Sequence, residues 1–256
     1  MNALRALAAL GPIDAKSAVR DPLLRWMLAV PVGAALLIRW GLAPVSAFLL
    51  ARLSFDLAPY QPLVFSVVLL MMPGLFGMVI GFLLLDQRDD RTLEALQVTP
   101  LTLRGYLAYR IALPMALGAV LALVCVPLSG APPIPLWALA VAALAAAPLA
   151  PIYALFLAGF AANKVQGFAL SKAMGVVFVA VVVAYLLDSS WQYALGVVLQ
   201  FWLAKLYWLF VAGAEGGRVA ASGSARGAVL ILAAGLAYQF GVLWLLLRRF
   251  DRVAHR

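Results

Sequence analysis

Pro62-Leu-Val-Phe-Ser-Val-Val-Leu-Leu-Met-Met-Pro-Gly-Leu-Phe-Gly-Met-Val-Ile-Gly-Phe-Leu-Leu-Leu85 carries no charge from end to end, and its reading decides the fold. As an α-helix rising about 1.5 Å per residue, it is long enough to cross a hydrocarbon core roughly 30 Å thick. Comparable runs recur on both sides of it. Six spans are predicted near Leu23–Gly41, Pro62–Leu85, Tyr106–Leu128, Leu136–Ala161, Ala173–Leu187 and Ala228–Leu247. The chain is 66% hydrophobic and only 11% charged, more apolar than a soluble fold of 256 residues can hide. The expected class is therefore all-α, a polytopic membrane protein forming one transmembrane domain over residues 1–256. That length leaves no room for an added soluble catalytic domain.

The distribution of charge orients these spans. A net charge of +9 reads here as Lys and Arg concentrated in cytoplasmic loops rather than as a nucleic-acid surface. With the N-terminus inside, fourteen of the 19 basic residues fall on the inner side, and Arg39, Arg52, Lys205, Arg218 and Arg226 fall outside. Both termini are accordingly expected in the cytoplasm. Before the first span, Leu4, Leu7 and Leu10 share a helical face opposite Arg5, an interfacial helix within residues 1–22 that Gly11-Pro12 ends. Asp21 can cap the first span, and Pro22 suits its first helical position. No cleaved signal peptide is expected, for want of a clean apolar core and cleavage site.

Trp191–Ala212 contests the count. It is apolar enough to cross, but a seventh span would weaken the charge bias to twelve inside and seven outside and would leave Lys205 in mid-segment. Trp191, Tyr193, Trp202, Tyr207 and Trp208 favour a re-entrant hairpin within residues 188–225, near the outer interface where amphipathic rings settle. Ala43–Gln61 is expected as a longer outer loop, and Ser129–Pro135 as a tight Pro-rich turn.

The cytoplasmic insert over residues 86–105 is the most charged stretch of the chain. Asp89 or Asp90 can cap a helix that carries Leu93 and Leu96 on one face, with Glu94 favourable in its early part. Thr99-Pro100 ends that helix and starts the next, which leads into the third span. Taken alone, these features suit either a docking element for a soluble partner or an ordinary positive loop.

The string Arg91-Thr-Leu-Glu-Ala-Leu-Gln-Val-Thr-Pro100 resembles the Gly-Thr-Leu-Glu-x-Leu-x-x-x-Pro stretch of type-2 ABC exporter permeases. Thr92, Leu93, Glu94, Leu96 and Pro100 match it, and Arg91 stands where the family usually has Gly. The wording Leu-Leu-Asp-Gln-Arg-Asp-Asp-Arg-Thr-Leu, with Pro59–Pro62, looks most like the drug or fluoroquinolone-export subgroup. The resemblance implies a prokaryotic inner-membrane subunit whose insert is a coupling helix, with Arg91, Thr92, Leu93, Glu94, Leu96 and Pro100 contacting a cytoplasmic ABC ATPase. ATP and Mg would then be held by that partner and no cofactor by this chain. A second permease chain would complete the substrate path in the lipid bilayer.

Other residues offer weaker signals. Pro73 frees a backbone carbonyl in the second span, and Gly77 and Gly81 form a small-xxx-small face. That face suits a substrate path, a dimer contact or packing within the chain. Tyr238 and Gln239 in the sixth span are polar candidates for the path, Gln239 also for packing. No Gly-x-x-x-x-Gly-Lys-Ser/Thr loop is present, so ATP binding by a P-loop on this chain is excluded. The lone His255 and Cys125 supply no metal set and no Ser-His hydrolase. The expected role is transport without catalysis by this chain. An ATP-independent transporter or channel, or a membrane scaffold that recruits a soluble protein, is the alternative.

Overall fold

The computed structural model describes residues 22–89, 103–187, 189–215 and 225–254, with isolated positions before residue 22. Residues 2–10, Asp21 and the 90–102 part of the insert lie outside the described residues. Every regular element among those described is helical: α1 Pro22–Leu53, α2 Gln61–Asp89, α3 Leu103–Leu128, α4 Leu136–Ala146, α5 Leu149–Phe160, α6 Lys164–Leu186, α7 Leu199–Glu215 and α8 Ala225–Ala254. Short 3₁₀ turns, Ala58–Tyr60 and Ser190–Val197, precede α2 and α7. Six stretches are long and apolar enough to cross a membrane, with α4 and α5 together forming the fourth. The chain is thus a multi-pass helical membrane protein.

The centre of the bundle is α2, which packs along α5 on one side and α3 on the other. Lipid is as apolar as leucine, so helices associate here through close fit rather than through expulsion of water. Glycines provide that fit. A Cβ on Gly118 of α3 would lie 2.9 Å from the backbone of Pro73, so the ring of Pro73 nests against α3. Phe65, Leu69, Met72, Phe201 and Tyr207 fill the half of the core nearer the start of α2, and Phe82, Leu85, Tyr109 and Leu157 fill the other. By contrast α1 is almost wholly exposed, turning Leu37, Trp40, Phe48 and Leu50 outward.

Three elements differ from the sequence reading. The first span does not stop near Gly41. Helix α1 continues through Pro44 to Leu53, which removes most of the expected outer loop. In a bilayer an open chain leaves several backbone groups unbonded, whereas one proline costs a single hydrogen bond, so the helix continues. It ends at Ser54, whose φ of 53° is left-handed, and the amides of Ser54 and Phe55 turn back to the carbonyls of Leu50 and Leu49. Helix α6 begins at Lys164 rather than Ala173 because Asn163 caps it and Gln166 reaches back to the chain before the cap. Asn163 Oδ1 accepts from the Gln166 amide (3.0 Å), and Gln166 Oε1 accepts from the Ala162 amide (2.9 Å).

Trp191–Ala212 is split into a 3₁₀ turn and α7, which fold against one another. Trp202 Nε1 donates to Gly196 O (2.8 Å), Lys205 Nζ donates to Gln192 Oε1 (2.8 Å), and the rings of Tyr193 and Phe201 meet edge to face. The aromatic residues do not all sit at a surface: Trp191 and Tyr193 are exposed, but Tyr207 and Trp208 are fully buried in the bundle. Trp208 is tolerated there because its indole N–H donates to Ser66 Oγ (3.0 Å).

Candidate functional site

Two regions carry polar chemistry: the helix ends that bracket the insert, and the interior around α7. Arg91, Thr92, Leu93, Glu94, Leu96 and Pro100, the residues expected to dock a partner, lie outside the described residues, but their flanks do not. Asp86 belongs to the last turns of α2. Its Oδ2 meets Lys164 Nζ at 3.0 Å, joining α2 to the first residue of α6. One residue on, Gln87 Oε1 accepts from Arg110 Nη2 at 2.6 Å. That bond closes the base of the insert by tying the helix that enters it to the helix that leaves it. Arg110 is itself buried within the bundle. On the same side Arg249 of α8 donates to Gly159 O (3.1 Å) and stacks over the Phe160 ring, 3.9 Å from its centroid.

These contacts follow from the helix ends themselves. The amides at a helix N-terminus and the carbonyls at a C-terminus lack ladder partners, and long basic side chains can reach the carbonyls. Arg249 does this for α5. No single-chain periodicity announces the Gln87–Arg110 or Asp86–Lys164 pairs, because their partners stand 23 and 78 residues apart.

The interior region is built around the start of α7. Gln200, buried, donates through Nε2 to the Tyr153 hydroxyl of α5. Lys205 is also buried, with Gln192 as its hydrogen-bond partner. Ser66, Tyr153, Gln200 and Lys205 were not singled out as site residues from the sequence. The available signal was the presence of polar groups in apolar runs, which are costly in a membrane unless bonded.

The four residues considered for a substrate path fall into two groups. Gly77 and Gly81 share the α2 face against α5. A Cβ on Gly77 would stand 2.8 Å from Tyr153 Cβ and closer still to the Ala150 carbonyl, and one on Gly81 would stand 2.9 Å from Leu157 Cδ1. Gln239 is fully buried, and its Nε2 donates to Ala145 O (3.1 Å) in the last turn of α4, where Pro148 interrupts the fourth span. Its Oε1 has no hydrogen-bond partner among the described residues. Tyr238, the next residue, is exposed and donates to Val197 O (2.6 Å), pinning α8 to the turn before α7.

The family model for the fluoroquinolones export permease protein Rv2686c-like group matches residues 14–247, nearly the whole chain. The chain belongs to the Rv2686c-like family. Two curated members from Mycobacterium tuberculosis, the fluoroquinolones export permease proteins of strains CDC 1551 / Oshkosh and H37Rv, are each 32% identical to it over 254 residues. Those matches cover 96% of this chain and 94% of each relative. No solved structure matches it. Membership agrees with the resemblance carried by residues 91–100 and with the drug-export subgroup suggested by the wording around Asp86. It also makes a membrane permease the class to which the architecture belongs.

Proposed function

We propose that this chain is the membrane subunit of an ATP-driven efflux pump for drug-sized amphiphilic molecules, fluoroquinolones among them. The observation that carries this reading is the family match over nearly the full length, with relatives named as fluoroquinolone export permeases. The pump pairs two permease chains with cytoplasmic ATPase subunits, which bind and hydrolyse ATP with Mg. Arg91, Thr92, Leu93, Glu94, Leu96 and Pro100 form the docking surface for the ATPase, with Leu93 and Leu96 as its apolar knobs. The clamp between Gln87 and Arg110 supports this role, since a docking element needs a stiff base to transmit force.

Both termini lie in the cytoplasm of a prokaryotic inner membrane, and the 190–215 segment is re-entrant from the outer side. Support for re-entry comes from its two ends: α7 begins beside Tyr153 in the bundle interior and reaches Ser66, near the first turn of α2, by Trp208. The exposed face of α8 that carries Tyr238 borders the path between paired permeases. ATPase closure tilts the spans between inward-facing and outward-facing arrangements.

The test is co-expression with a candidate ABC ATPase subunit from the same organism. Leu93→Asp combined with Leu96→Asp should abolish both co-purification and ATP-dependent drug export. Undiminished export by that variant, or equal export by the permease with no ATPase at all, rejects the reading in favour of a transporter that needs no ATP.

A further inference from the structure

The helix that enters the insert, α2, is fastened to α6 at both ends. On the inner side the Asp86–Lys164 pair bridges them at 3.0 Å. Immediately beside it Gly167 lets α6 approach α2 so closely that an added Cβ would sit 2.7 Å from Leu85 Cδ1 and 3.1 Å from Phe82. At the far end the Tyr185 hydroxyl donates to Pro59 O (2.5 Å), in the turn that opens α2. The Tyr185 ring also meets Tyr60 and, edge to face, Trp208 of α7. Apart from Gly167, the fully buried residues of α6 are Val181 and Ala184, next to that outer fastening.

We propose that Asp86 and Lys164 are coupling residues, which make α2 and α6 move as one lever between the insert and the α7 hairpin. This rests on the proposed function for the source of the force. Its physical basis is separate. A half-exposed ion pair adds little stability, because solvent screens it and two long side chains must be ordered. It does fix the distance between the two helices at their inner ends, beside the close approach at Gly167. The residues adjoining Asp86 enter the insert, and the chain leaving α6 passes directly into the Ser190–Val197 turn. A displacement of the end of α2 therefore reaches the outer side through Lys164 and α6, as well as through α3. Asp86 and Lys164 position helices and need not touch the exported molecule.

The experiment uses the full permease with its ATPase in proteoliposomes, reading drug export and ATP hydrolysis together. Asp86→Lys and Lys164→Asp should each lower export per ATP hydrolysed by about fivefold or more, while hydrolysis continues. The Asp86→Lys/Lys164→Asp exchange should restore the wild-type ratio, which a loss of folding would not allow. Asp86→Cys/Lys164→Cys should be uncoupled until a short bifunctional methanethiosulfonate bridges the thiols, and then regain export. A cross-link that leaves export blocked overturns the proposal, since the ends must then separate during the cycle. A wild-type ratio in both single variants overturns it too. If the wild-type chain exports without its ATPase, the proposed function fails instead, and recovery of export on cross-linking still upholds the lever.

Discussion

Gly77 shows how narrowly one residue can be constrained in this bundle. Its Cα passes the α5 backbone so closely that a methyl group would overlap the Ala150 carbonyl. Gly77→Ala should destabilise the protein by about 1–3 kcal/mol, the usual cost of overpacking, whereas Gly41→Ala on α1 meets nothing within 4 Å and should be neutral. The midpoints of thermal unfolding in detergent compare the two, and equal midpoints contradict this account of α2–α5 contact. Ser54 presents the opposite case, a non-glycine residue at φ 53°. Ser54→Gly should raise the unfolding midpoint by the equivalent of about 0.5–1 kcal/mol, because glycine adopts that conformation without Cβ strain. A lower midpoint would mean that the serine side chain matters more than its backbone. Neither position was legible as such. The small-xxx-small spacing of Gly77 and Gly81 announced close approach, but it did not say to which helix.

At the scale of elements, the two features that depart from simple hydropathy are the start of α6 and the interior seat of α7. Asn163-Lys-Val-Gln166 carries a readable cap signal, which the apolar run from Ala173 does not include. Asn163→Ala should cost about 1 kcal/mol and shift the start of α6, detectable as faster amide exchange in its first turn. The seat of α7 rests on Gln200 and Tyr153, a pair 47 residues apart. Tyr153→Phe should cost about 0.6–2 kcal/mol, since it leaves a buried amide with one bond fewer. Gln200→Leu in the same background should then add less than it does alone. Strict additivity of the two changes would show that the hydrogen bond contributes nothing.

For the whole molecule, the decisive question is how often the chain crosses. Six crossings with a re-entrant 190–215 segment put residue 222 outside and residue 255 inside, whereas seven crossings reverse both. An impermeant thiol reagent on intact cells should therefore label Ser222→Cys and spare His255→Cys, the buried native Cys125 serving as the unreactive background. The reverse pattern would overturn the six-crossing topology and, with it, the proposed cytoplasmic location of the C-terminus.

Composition and apolar run length determined by themselves that this is a helical membrane protein, because hydrocarbon thickness sets a minimum run that no soluble element mimics. The reading of six spans also needed the charge bias and Lys205 to set Trp191–Ala212 apart. The insert motif and the Asp86 wording pointed to the permease family, since short sequence signatures are local in the chain. The partners of Asp86, Gln87, Gln200 and Gln239, and the helix that Gly77 faces, were decided only by the tertiary structure. Hydropathy is nearly uniform around α2, so it cannot say which face of that helix meets which neighbour. That choice is made by steric fit and by polar groups finding partners far along the chain. The 62–85 run thus declared a span, while its place at the centre, between α3 and α5 and fastened to α6, came from packing alone.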